Sequence, residues 1–232
     1  MNAVKGTYRL LYEDMRFYLI LFSAITILMA AVYLFIGIFF DADYYGTLFG
    51  PLYGAICTVA IYELVVTFPI AIGLGSTRSL FIKCYFLMGF LMVFGTTFVL
   101  NSLYFIIYLL ETNGFHKVGV FHPGMFYSYE PKLIPFFWID FMVGLTLFGL
   151  SSFITMSWRR LGTVQFFIYF FIITMFITSI IAILGTNQSI EWISKFSPLE
   201  IFNTIGLFGL ILILLTYPLM KNAPLKMKGA KA

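Results

Sequence analysis

Charge is what this sequence has least of. Only 10% of its 232 residues are Asp, Glu, Lys or Arg, against about a quarter in an ordinary soluble domain. A water-facing surface cannot be assembled from so few charges without leaving large apolar patches, so a soluble globule is excluded. There are two cysteines, Cys57 and Cys84, each inside an apolar run and near opposite ends of their runs. A disulfide needs Cα atoms within about 7 Å, so none is expected between them. No Gly-Lys-Ser/Thr sequence is present to cradle a nucleotide phosphate, and no length of polar chain is left for a separate soluble catalytic domain.

What the chain has instead is apolar bulk: 61% hydrophobic residues, 29 Phe and a mean hydropathy of +0.98. Roughly 20 apolar residues cross a hydrocarbon core, and six such runs occupy most of the length. They cover 17–40, 51–72, 80–110, 133–157, 164–184 and 201–219. The fold class expected is an all-α integral membrane protein. The first run is too long for a signal-peptide core and is followed by Asp41 and Asp43, so it is expected to stay in the mature chain.

Before the first run, Val4, Tyr8, Leu11, Tyr12 and Met15 recur at helical spacing among Lys5, Arg9, Glu13, Asp14 and Arg16. This predicts an amphipathic interfacial helix over 1–16. The three-part organisation expected is that helix, a six-helix transmembrane domain over 17–219, and a basic tail over 220–232. Alternate loops differ in Lys and Arg. Lys5, Arg9, Arg16, Arg78, Lys83, Arg159, Arg160, Lys221, Lys226, Lys228 and Lys231 fall on one side, and Lys117, Lys132 and Lys195 on the other. The positive-inside rule then makes both termini cytoplasmic, in a plasma-membrane protein. The net charge of +4 reports topology, so nucleic acid is not an expected partner.

The joint between the second and third runs, Thr67-Phe68-Pro69-Ile70-Ala71-Ile72-Gly73-Leu74-Gly75-Ser76-Thr77-Arg78-Ser79-Leu80-Phe81-Ile82-Lys83, carries the most information. Pro69 kinks or ends a helix, and Gly73 and Gly75 permit a tight reversal. Ser76 or Thr77 can cap the next helix, leaving Arg78 and Lys83 at the membrane surface. The stretch superficially resembles a phosphate loop, but no strand precedes it and its ending is wrong, so ATP binding is rejected. A plain inter-helix turn with a positive anchor is the simplest alternative.

At these residues the chain resembles the small six-span permease subunits of ABC-2-type exporters of Gram-positive bacteria. The match lies in Phe68, Pro69, Ala71, Gly73, Gly75, Thr77, Arg78 and Phe81, with Ser197-Pro198-Leu199-Glu200 before the last run. Many relatives carry two adjacent basic residues in the turn, whereas here Arg78-Ser79 is followed by Lys83. The resemblance implies ABC-2 permease architecture and a half-transporter without its own motor. Soluble ABC ATPase subunits would bind ATP and Mg, and a second permease subunit, same or related, would complete the unit. Phe68, Pro69, Gly73, Gly75, Thr77, Arg78, Phe81 and Lys83 would then form the ATPase-coupling turn. The N-terminal helix and Trp158-Arg159-Arg160 would be secondary contacts. The expected cargo is an amphipathic peptide or lipid-like molecule.

Glu63 is the one carboxylate well inside a run. Ionised there it would cost about 2.5 to 3.5 kcal/mol on insertion scales, so it is expected to be neutral, paired or facing a wet cavity. It is either a substrate-path group or a partner for a neighbouring helix through Thr or Ser. Asp140 is expected to be interfacial or water-accessible. Thr96, Thr97 and Asn101 read as glue between helices, and Gly206 and Gly209 as close-packing positions. His116, His122, Glu111 and Glu130 share one loop without a zinc spacing, so no metal site and no catalytic residue is assigned. Ile190, Trp192, Ile193 and Phe196 suggest a short interfacial helix. Two other classes remain open: an intramembrane enzyme using Glu63, Asp140 and the outer histidines, and a peptide-binding immunity or sensor protein.

Overall fold

A computed structural model describes residues 3–40, 44–114, 118–185 and 195–223. Its helices are α1 (Ala3–Phe39), α2 (Phe49–Gly73), α3 (Arg78–Thr112), α4 (Leu133–Leu161), α5 (Thr163–Leu184) and α6 (Pro198–Lys221). All six are long and apolar enough to cross a membrane, as in a multi-pass membrane protein. A short parallel pair, β1 (Tyr44–Thr47) and β2 (Val118–Phe121), closes one end of the bundle. The opposite end carries the N-terminus, the 74–77 turn and the last turns of α4 and α6.

Helix α1 departs from the expected division at residue 16. It runs unbroken for 37 residues, roughly 55 Å at 1.5 Å per residue, which exceeds a hydrocarbon core of about 30 Å. Its first turns therefore overhang the span. Their inward face is Thr7, Leu11 and Met15, all buried, while Val4 and Tyr12 of the expected lipid-facing stripe are exposed. The reason is a protein partner: the Thr7 hydroxyl meets Ser76 Oγ at 2.9 Å, and Asp14 accepts from the Thr67 hydroxyl at 2.9 Å. The helix docks on the joint between α2 and α3.

Packing between α4 and α6 is the most extensive in the bundle. Glycine makes it possible, because a Cβ at Gly209 would come within 2.5 Å of the Thr146 backbone and one at Gly206 would overlap Met142. The Thr146 hydroxyl crosses to the Ile205 carbonyl at 2.9 Å. Small residues let the backbones meet where lipid offers no hydrophobic push. The Ser197-Pro198-Leu199-Glu200 stretch starts α6 with a capping box: Ser197 Oγ accepts from Glu200 N–H, and Glu200 Oε2 from Ser197 N–H at 2.8 Å. By contrast α5 buries none of the residues in its apolar window. Cys57 and Cys84 are both free thiols.

Candidate functional site

The joint is built from three devices in sequence. The first is a π-helical turn over Glu63–Thr67 that interrupts α2. There the Phe68 N–H donates to the Glu63 carbonyl, one residue further back than an α-helix allows. The Leu64 carbonyl, which Phe68 would normally satisfy, next looks to Pro69, and proline has no N–H. An orphaned carbonyl inside a bilayer costs several kcal/mol. The Arg159 guanidinium from α4 supplies the donor, through Nη1 to Leu64 O, with its carbon 5.2 Å from the Phe68 ring centroid. Arg159 is only 2% exposed, so it is an internal brace and not the surface contact its loop position suggested.

The second device is the reversal. Gly75 N–H donates to Ile72 O and Ser76 N–H to Ala71 O, both at 3.0 Å, the paired bonds of a Schellman motif. Gly75 takes the left-handed conformation, φ +91°, that this motif places at its second-last residue. Gly73 does not share that role: it lies within helix, its φ is not positive, and a Cβ there would meet open space. The third device is a cap. Thr77 Oγ1 accepts from Leu80 N–H at 3.2 Å and starts α3.

These devices sort the expected coupling residues into two groups. Phe68 and Phe81 are fully buried, edge to face with centroids 5.1 Å apart, and anchor the turn from inside. Gly73, Gly75, Thr77 and Lys83 are exposed. Arg78 is half-buried and reaches back to cap α6, donating from Nη1 to the Lys221 carbonyl at 3.0 Å. The outermost apolar side chain is one the sequence reading passed over, Leu74, 77% exposed at the tip. A cleft of about 530 Å³ lies between this turn and α1, lined by Thr7, Arg9, Leu10, Asp14, Leu74 and Ser76 among others.

Glu63 sits in the π turn, 2% exposed, and neither carboxyl oxygen has a hydrogen-bond partner among the described residues. Among the described residues no Thr or Ser hydroxyl is bonded to it, and the nearby Thr67 hydroxyl gives its proton to Asp14.

A second polar cluster lies toward the β1–β2 end, and it corrects the expectation for Asp140. That carboxylate is fully buried, because side chains from three other elements close over it. Oδ1 accepts from the Tyr53 hydroxyl of α2 at 2.7 Å. Oδ2 accepts from Asn101 Nδ2 of α3 at 2.7 Å and lies 2.9 Å from His122 Nε2. The Gly124 N–H donates to His122 Nδ1 at 2.9 Å, so that nitrogen must carry a lone pair and the ring proton resides on Nε2, facing Asp140. The imidazole is stacked on Phe136, with centroids 4.9 Å apart. His122 is thus bound to Asp140 and to its own turn. Among the described residues no three His, Cys, Asp or Glu side chains converge as metal ligands, and His116 lies outside them.

Of the expected glue residues only Asn101 crosses between helices. Thr96 turns back to the Met92 and Val93 carbonyls of its own helix, and Thr97 Oγ1 has no partner among the described residues. The enzyme alternative gains a cluster at one depth, yet both imidazole nitrogens and both Asp140 oxygens are already engaged. Glu63 sits in the π turn of α2 near the opposite end. Ile190, Trp192, Ile193 and residues 224–232 of the basic tail lie outside the described residues. The chain matches no family model, no curated protein and no solved structure.

Proposed function

We propose that the chain is the membrane-spanning permease subunit of an ATP-binding-cassette exporter, with ABC-2 architecture and both termini cytoplasmic. Soluble ATPase subunits would supply ATP and Mg, and a second permease subunit, same or related, would complete the path. The observation that supports this reading most is the Leu74 to Lys83 turn, capped on both sides, anchored by Phe68 and Phe81, and standing at the end that carries eight of the ten Lys and Arg of the described residues. A soluble motor needs a stiff handle, and this one ends on an exposed leucine and an exposed lysine.

The handle connects to a place where motion is cheap. Directly inside it, α2 carries a π turn followed by Pro69, so its hydrogen-bond ladder is already interrupted. Closure of ATPase subunits on the turn would rock α2 and α3 about that segment. The cargo that fits so few buried charges is an amphipathic peptide or lipid-like molecule.

The test is co-expression with an ATP-binding-cassette ATPase of the host, sought first among the genes that flank this one. The two should co-purify, and Leu74→Asp combined with Lys83→Glu should abolish the complex and any permease-stimulated ATP hydrolysis while leaving the chain folded. Unchanged complex and coupling in that variant, or turnover by the isolated chain without a motor, overturns the reading.

A further inference from the structure

A separate pocket lies at the β1–β2 end, where α3 finishes. Its volume is about 230 Å³, and Tyr104, Tyr108 and Glu111 of α3 line it at helical spacing together with Val120, Met125 and Tyr129. Drug-sized ligands occupy pockets of about 300 to 1,000 Å³, so this one suits a headgroup whose remainder lies outside.

Among the described residues that line the pocket, Glu111 is the one charged side chain. The Glu111 carboxylate makes no hydrogen bond or ion pair among the described residues, and the last turn of this 35-residue helix holds no basic side chain. The negative end of the helix dipole therefore meets no positive charge in its own last turn, where the neutral Thr112 and Asn113 donors cap the Leu109 carbonyl. Tyr108 and Tyr129 add aromatic rings, whose faces attract a cation within about 6 Å of the centroid, while Tyr104 is buried against His122 and Phe136. The protein already makes this kind of contact nearby, where the Lys132 ammonium lies 5.9 Å from the Tyr127 ring centroid. Aromatic faces with a single carboxylate suit an organic ammonium, whereas a hard metal ion requires several oxygen ligands.

We propose that this pocket binds an ammonium group, carried by a lipid headgroup or by an amphipathic peptide. Its assignment as the handle on exported cargo rests on the export reading; the binding itself does not. The full chain in a maltoside detergent, which has no ammonium, is titrated with choline, with n-butylammonium and with 3,3-dimethyl-1-butanol, the uncharged isostere of choline, by ligand-observed NMR. At least one cation should bind saturably, with the neutral isostere weaker by about tenfold or more. Glu111→Gln and Tyr108→Leu should each weaken binding by about tenfold, and Tyr108→Phe should retain it because the ring remains. A preference for choline assigns a lipid headgroup as the source; a preference for n-butylammonium assigns a peptide amine. Equal binding of the neutral isostere, or unchanged binding in Glu111→Gln, overturns the proposal. No ATPase is present in this assay, so failure of the ATPase complex would sink the export reading and leave the pocket standing.

Discussion

Two carboxylates are buried in this bundle, and they are treated in opposite ways. Asp140 accepts from Tyr53, Asn101 and His122, joining α2, α3, α4 and the turn that follows β2 at one point. Glu63 is equally enclosed and has no partner among the described residues. In a bilayer a satisfied polar network is rigid, because every alternative arrangement strands a donor, while an unpartnered group ties nothing down. The difference marks one end of the molecule as a clasp and the other as a joint. The clasp is sealed by four side chains, while the joint combines a π turn, a proline and a free carboxyl.

The sharpest way to break that contrast is the same isosteric change at both carboxyls, beginning where the larger effect is expected. Asp140→Asn replaces one accepting oxygen by an NH2 group that confronts donors already in place. Stranding at least one buried donor, and removing the charge from the other bonds, should cost about 3 kcal/mol. Reversible denaturant unfolding in mixed micelles reads this directly. A loss under about 1 kcal/mol would mean that the network is not the clasp described.

Next in size is Arg159→Met, which preserves much of the apolar stem and deletes the donor to Leu64 O. The stranded carbonyl should cost about 2 kcal/mol. The loss should concentrate at the joint, with faster amide exchange over 63–70 than around Asp140. Uniform exchange across both ends would show that Arg159 braces the whole bundle and not the π turn.

A smaller pair tests which glycine makes the turn. Gly75→Ala forces a side chain into φ +91° and should destabilise by about 1 kcal/mol. Gly73→Ala places a methyl in open space on a helical residue and should be neutral or stabilising by up to about 1 kcal/mol. Equal effects would erase the distinction drawn between them.

These sites also show how far a sequence can be read. Six spans were legible because runs of about twenty apolar residues have few other uses, and a cap at Ser76 or Thr77 follows from local chemistry. The docking of α1 was not, since Val4, Tyr8 and Tyr12 carry the same spacing whether lipid or protein lies opposite. Thr7, the residue that makes the contact, is polar and fell outside the stripe. Asp140 and His122 are 18 residues apart, with a 3₁₀ turn and the first two turns of α4 between them, so no periodicity pairs them. The π turn was hidden for a similar reason: Pro69 announces an interruption, but which carbonyl is stranded and which arginine answers it depend on how α4 packs. Leu74 is one leucine among many in an apolar sequence, and only its exposure sets it apart at the tip.

The smallest effect is expected at Glu63, and it is the most informative about the joint. Glu63→Gln keeps the shape and removes the possibility of charge, leaving unfolding free energy within about 0.5 kcal/mol of the parent, since no bond among the described residues is lost. The logic reverses if the carboxyl is ionised there: neutralising an uncompensated buried charge would then stabilise the protein by several kcal/mol. If a partner for it exists beyond the described residues, the same change would destabilise. A near-zero result beside a large loss at Asp140→Asn makes Glu63 a neutral, uncommitted group at the one place where α2 is free to bend.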